Sequence, residues 1–249
     1  MICFSDLIPV TEAAYAEKCF LLQYFDGLLT GRIILGYQTW LDEVFIRKSL
    51  ETWLPYVDGL VVQCGKFPYS LPDEKDQTLD IIRQVMAGQR DKSLIIDETE
   101  GYEYELRTKM MEKLFPGDYL FMVDPDELPS EEKNVKSAFD FIRSNIPEFS
   151  IFWMKVEEIF QPTGIKQDPW KAKIFRVEKG YHFYPNHLTL LDGQNNLVTD
   201  WNIQDRKDWV KVPQMGLENR GFLRGGRDKI NRSHRYELLT KVQFDERKL

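Results

Sequence analysis

Residues Asp118–Pro129 read DYLFMVDPDELP. An apolar, aromatic run that suits a buried strand stops abruptly at three acids set around one proline. In extended chain, Asp124 and Asp126 turn their carboxylates to one side and Glu127 turns to the other. Pro125 restricts its own φ and pushes Asp124 toward extended geometry, which stiffens the pair. Two like charges about 4 Å apart in a partly shielded cleft repel by roughly 4 kcal/mol. A hard divalent cation, Mg²⁺ or Mn²⁺, relieves that repulsion, using one or two carboxylates and completing its shell with water and phosphate oxygens. The same residues also suit a strand-ending turn that leads into a helix cap.

Working outward from this stretch, strand and helix patterns alternate. RIILGYQTW from Arg32 reads as a strand, and LDEVFIRKSLETWLPYV as an amphipathic helix with Asp42 near its start and Pro55 near its end. DGLVVQCG is a short apolar strand, DQTLDIIRQVMAG a helix ending in glycine, and KSLIIDE another strand. GYEYELRTKMMEKLFPG makes a helix closed by Pro116 and Gly117, and it feeds directly into the DYLFMVDPDE strand. Successive βαβ units of this kind predict a largely parallel sheet covered by helices on both faces, with ligands at the carboxyl ends of the strands. SEEKNVKSAFDFIRSN is a further helix with acids in its first turn. Beyond it, FSIFWMKVEEIF and KAKIFRVEKGYHFY predict antiparallel strands added at the sheet edge. HLTLLDGQNNLVTDW then carries a turn at DGQNN.

The chain is expected to form a single domain over 1–249, with a helical extension over 1–31 and a basic tail or lid over 215–249. Its 249 residues, 43% hydrophobic and 13% aromatic, suffice for a packed core. A formal net charge of −7 argues against gripping a nucleic-acid backbone by charge. Cys3, Cys19 and Cys64 are few, odd in number and widely spaced, which predicts neither a disulfide framework nor a cysteine zinc site and fits a reducing, cytoplasmic setting. No apolar run reaches membrane-spanning length, and the N-terminus lacks a secretory signal pattern.

The run from Arg107 to Leu128, RTKMMEKLFPGDYLFMVDPDEL, resembles glycosyltransferases of the GT-A fold, especially the family 2-like group. Those enzymes carry an arginine-bearing helix, a Gly-Asp turn, an apolar strand and a DxD-type acidic motif. The counterparts here are Arg107, Gly117, Asp118 and the Asp124, Asp126, Glu127 cluster. PWKAKIFRVEKGYHFYPNHL looks like the segment of related enzymes in which a Trp, an Arg-bearing strand and a later His follow one another. The resemblance spans Arg32 to Leu191 in its order of elements.

It implies a metal-dependent glycosyltransferase of hexosyltransferase type, moving a sugar from a nucleotide-diphosphate donor to an acceptor hydroxyl on a glycan, lipid or protein. Asp124, Asp126 and His187 are the implied ligands of Mn²⁺ or Mg²⁺, with Asp124 alternatively on the donor's ribose. Arg107 and Lys109 are implied to reach the donor's phosphates or nucleotide. Two segments depart from the family pattern: Gly36, Tyr37, Gln38, Thr39 after the first strand, and Gln63, Cys64, Gly65, Lys66, Phe67 after the second. The resemblance therefore implies no particular base.

Other candidates follow from position. Tyr37, Trp40 and Asp97 lie near predicted strand ends, where an aromatic stacks on a base and an acid hydrogen-bonds it. Glu157 and Glu158 follow WMKV at a strand end, and either suits the base that takes a proton from an acceptor hydroxyl. Solvated edge charge is the plain alternative, as are exposed helix charges for Arg107 and Lys109, with Glu103 spaced to pair with Arg107. A partly buried, backbone-bonded histidine is the alternative for His187. Two further classes stand beside the transferase: a nucleotidyltransferase on a similar scaffold, which the lack of a Gly-rich phosphate loop after the first strand disfavours, and a non-catalytic nucleotide-sugar-binding module.

Overall fold

The structure, a computed structural model, describes residues 31–39, 42–65, 76–89, 91–158, 170–184, 189–199 and 207–220. The helix expected within 1–31 and the basic segment from 221 onward lie outside the described residues. Strand β1, Ile33–Thr39, is buried along its whole length. It lies between two parallel partners, β2 (Gly59–Cys64) and β4 (Tyr119–Met122), and β3 (Ser93–Asp97) continues the parallel set beyond β2.

Helices make these crossovers. In α1, Ile46–Trp53, the buried residues Ile46, Ser49, Leu50 and Trp53 recur at the helical repeat. Helix α2, Thr78–Met86, buries Thr78, Ile82 and Met86 in the same way. Helix α3, Glu103–Glu112, starts where the Glu105 side chain accepts the Tyr102 N–H at 3.0 Å, satisfying an orphan donor of the first turn. Before β4, Gly117 adopts φ 93°, a conformation other residues avoid, and its N–H reaches the Val177 carbonyl at 2.8 Å.

The later elements are β5 (Glu127–Pro129), α4 (Val135–Asn145), β6 (Ile151–Glu158), β7 (Trp170–Arg176), β8 (His182–Phe183), β9 (Leu190–Leu191), β10 (Leu197–Thr199) and β11 (Trp209–Asn219). The main sheet has the order β3-β2-β1-β4-β7-β6-β11-β5, and β8, β9 and β10 form a separate antiparallel sheet. This is the expected mixed α/β architecture, with two corrections. Strand β7 does not add at an edge: it inserts between β4 and β6, antiparallel to both, while β6 and β11 run parallel. Its Ile174 and Phe175 are buried on opposite faces, and it has a hydrogen-bonded neighbour on each side, which an edge strand lacks. Residues 215–219, expected in the tail, belong to β11 and pair with β5 and β6.

Alternation sorts the strands' side chains onto two faces. Leu35, Tyr37, Leu60, Phe121 and Phe152 face the core shared with α1, α2 and α4, where Trp53, Phe121 and Phe139 meet edge to face at 5.2 and 5.5 Å. Ile34, Val61, Leu120 and Trp153 face α3 and the small sheet. The sheet is curled. Met122 to Glu127 spans about 17 Å at full stretch, whereas four strand spacings separate β4 from β5 along the sheet, about 19 Å. The intervening chain is turned rather than extended, so the far edge must bend back toward β4. Among the described residues no helix is long and apolar enough to cross a membrane.

Gly65, just past β2, tests how closely the parallel strands approach. A Cβ there would run into the Thr99 backbone carbonyl, whereas a Cβ at Gly36 would meet the flexible tips of Leu120 and Met110 at 2.5 and 2.7 Å. Gly65→Ala is therefore expected to lower the unfolding free energy by about 3 kcal/mol and Gly36→Ala by about 1–2 kcal/mol, ranked by urea denaturation of the two variants.

Candidate active site at the carboxyl edge of the sheet

The chain runs outward through β1, β2 and β3 and returns to β4 on the other side of β1. That reversal opens a crevice at the carboxyl ends of β1 and β4, the place where open α/β sheets bind ligands. Gln38 continues the side of β1 that carries Ile34 and Gly36, and Asp124 continues the side of β4 that carries Leu120 and Met122. Both therefore face α3. There Arg107, only 7% exposed, donates from Nε to the Gln38 carboxamide oxygen at 2.9 Å and from a terminal nitrogen to Glu103 at 2.8 Å. The same guanidinium lies 3.8 Å from the Asp124 carboxylate and 5.9 Å above the Phe183 ring. Asp124 is 46% exposed. The i, i+4 pairing of Glu103 with Arg107 is the one its spacing predicts.

The acidic stretch is not extended, which corrects the same-side reading of Asp124 and Asp126. Strand β4 ends at Met122, and the Glu127 N–H donates to the Asp124 carbonyl at 2.9 Å, closing a β-turn with Pro125 at its second position. The Glu127 carboxylate doubles back to accept the Asp124 N–H at 3.0 Å. Asp126 and Glu127 are buried, at 1% and 2% exposure. The Asp126 carbonyl accepts the Arg220 N–H at 2.9 Å, which brings the end of β11 against the turn.

Glu127 is met by Lys173, whose ammonium lies 2.6 and 2.8 Å from its two oxygens. Lys173 reaches inward because β7 carries an extra residue: Phe152 pairs with Ile174 and Trp153 with Ala172, leaving Lys173 in a β-bulge. Burial pushes the Glu127 carboxyl above its ordinary range; the Lys173 charge pulls against that push and the nearby Asp124 charge adds to it.

At the ends of β2 and β3 the polar groups bind one another. Gln63, fully buried, donates from Nε2 to the Asp97 carbonyl at 3.1 Å and the Thr99 hydroxyl at 3.2 Å. The Asp97 carboxylate accepts the Thr99 N–H at 3.0 Å and lies 3.3 Å from the Lys113 ammonium. Burial alone would raise its carboxyl, but hydrogen bonds from Thr99, Lys113 and Gln63 outweigh it and hold the group below its usual value. Lys109 reaches the Thr99 hydroxyl at 3.4 Å, so Asp97 and Lys109 flank one loop. Tyr37 is corrected: it is 0% exposed on the α1 side of the sheet, with its hydroxyl 2.5 Å from Ser49, and it cannot stack on a base. Burial drives that hydroxyl far above its ordinary value.

Because β6 runs parallel to β11 and, through β7, to β4, its carboxyl end shares the edge that carries Asp124. Glu157 lies on the Ile151 and Trp153 side of β6, is half-exposed, and pairs with Lys155. The Glu158 side chain, Trp40 and His187 lie outside what is described. Among the described residues no group of three or more His, Cys, Asp and Glu side chains is placed to hold a metal ion. The structure thus brings together Arg107, Asp124 and the Asp126 turn, and adds Gln38, Lys173 and Arg220, which the sequence reading missed. Lys173 leaves a faint trace in KAKIF, a lysine inside an apolar run.

Asp97→Ala is expected to cost about 1–3 kcal/mol near neutral pH. A carboxyl held low in the fold stabilises it above the unfolded value of about 3.9 and loses that contribution as pH falls through the folded value. Denaturation midpoints of wild type and variant should differ from pH 5 to 8 and converge toward pH 3.

No protein-family profile and no curated protein matches this chain. Solved structures with partial similarity include S. aureus TarS residues 1–349, 17% identical over 59% of this chain and 47% of that one, with a TM-score of 0.42. Mannose-6-phosphate isomerase from Helicobacter pylori is 10% identical over 59% of this chain and 62% of its own, with a TM-score of 0.40. The mannosyltransferase PcManGT from Pyrobaculum calidifontis, in complex with GDP-Man and Mn²⁺, is 16% identical over 66% of this chain and 54% of its own, with a TM-score of 0.38. In each case the match spans less than two thirds of the other chain.

Proposed function

We propose that this chain is a metal-dependent glycosyltransferase of GT-A type that moves a sugar from a nucleotide-diphosphate donor to an acceptor hydroxyl. The observation that carries this reading is the acidic turn at the β1/β4 crevice, with Asp124 half-exposed and a buried arginine beside it. The donor set suits Mn²⁺ or Mg²⁺, being carboxylate oxygen without sulfur, and two carboxylates are what such ions take when phosphate and water complete the shell. Asp124 would hold the ion, with Asp126, buried in the same turn, and His187 as the further ligands that the family resemblance implies. Bound there, the ion supplies positive charge to the diphosphate as it departs.

The chain's own residues supply the rest. Arg107 is held by Gln38 and Glu103 before any ligand arrives, so its charge is preorganised and costs no reorganisation during reaction. Lys109 and Asp97, which flank the loop after β3, would contact the nucleotide. Glu157 or Glu158, at the end of β6, would take the proton from the acceptor hydroxyl.

A thermal-shift panel of nucleotide diphosphates and their sugars, with and without Mn²⁺, tests the reading. At a hundred times Kd a ligand specific for the folded state adds about 2.7 kcal/mol, or a Tm rise of about 5–10 °C for a chain of this size. The rise is expected only with metal and nucleotide together, and Asp124→Asn should remove most of it. Equal stabilisation in chelator would overturn the metal role. Binding without hydrolysis or transfer to any offered acceptor would favour a binding module.

A further inference from the structure

We infer that Lys173 is a positioning residue for the cation site: by neutralising the buried Glu127, it lets that carboxylate latch the turn carrying Asp124 and Asp126. This rests on reading that turn as the cation site. The latch is explicit in the geometry. Glu127 donates its N–H to the Asp124 carbonyl at 2.9 Å and receives the Asp124 N–H on Oε2 at 3.0 Å, so Asp124 is tied at both backbone groups by one residue. The carboxylate that makes the second bond is 2% exposed, with Lys173 at 2.6 and 2.8 Å and itself 11% exposed.

A buried carboxylate stays buried only when its charge is met, and removing one member of such a pair leaves the other strongly disfavoured. Without Lys173, Glu127 keeps its charge only by leaving the interior, which takes the Asp124 latch with it and adds a third negative charge to the cluster. The bulge at Lys173 fits this role, since bulges serve to re-aim a side chain, and here the re-aimed group points beneath the acidic turn. Lys173 touches neither donor nor acceptor in this scheme. It acts through Glu127 alone.

The test measures Mn²⁺ affinity by isothermal titration on full-length protein held with a saturating nucleoside diphosphate from the thermal-shift panel, with folding followed by circular dichroism. Lys173→Met is expected to bind Mn²⁺ at least tenfold more weakly than wild type. Adding Glu127→Gln to it should restore affinity to within about threefold, because an amide oxygen accepts the Asp124 N–H and needs no countercharge. Glu127→Leu combined with Lys173→Met, neutral but without an acceptor, should stay weak, and comparing the two double variants carries the test if the single variant does not fold. Wild-type affinity in Lys173→Met, or equal affinity in the two double variants, overturns the inference while leaving the metal reading intact. A wild-type protein that does not bind Mn²⁺ with any of those nucleoside diphosphates present overturns the metal reading, and the inference with it.

Discussion

A carboxylate buried in a protein core must find a cation, and in this chain that requirement ties together elements far apart in sequence. Glu127, at the start of a three-residue strand, meets Lys173 from the strand inserted beside β4. Stripping both charges of water costs several kcal/mol each, so the pair is weak evidence of stability and stronger evidence of a defined arrangement. What it arranges is the Asp124–Glu127 turn. Burying the third acid leaves one half-exposed aspartate and one buried aspartate at the rim, a different object from the row of three acids in the sequence.

The second organising constraint is strand alternation. From Ile34 through Gly36 to Gln38, and from Leu120 through Met122 to Asp124, the same side of two adjacent parallel strands changes from apolar to polar as the chain leaves the core. Helix α3 covers that side and contributes Arg107 at the place where the polar ends emerge. Gln38 and Glu103 hold the guanidinium while Asp124 stands 3.8 Å away. The crevice is therefore organised around opposed charges before any ligand is present. On the proposed reading, charge that develops in the reaction would be stabilised here without first reorienting the site's own dipoles.

The curl of the sheet makes these relations possible. A short link between β4 and β5 closes only if the far strands bend back, and this bending brings β11, β5 and Arg220 around to the turn. The bulge in β7 contributes by re-aiming Lys173, and a second irregularity lies between Lys211 and Gly216 in β11. Bulges increase local twist and bend the strands that carry them, so the devices that curve the sheet also direct side chains into the site.

The sequence by itself determined the βαβ order from Ile33 to Met122, because apolar periodicity and glycine or proline stops are local properties of the chain. It likewise marked the acidic end of β4, Arg107 on its helix and the Glu103 partner one turn away, since each depends only on spacing along one element. Only the tertiary structure decided that β7 is internal, that Tyr37 faces the core, and that the acids form a turn in which Glu127 is latched and buried. These outcomes depend on which strands become neighbours and on a one-residue bulge that changes where Lys173 points. Pairing partners and register are contacts between distant segments, and neither composition nor periodicity within a single segment encodes them.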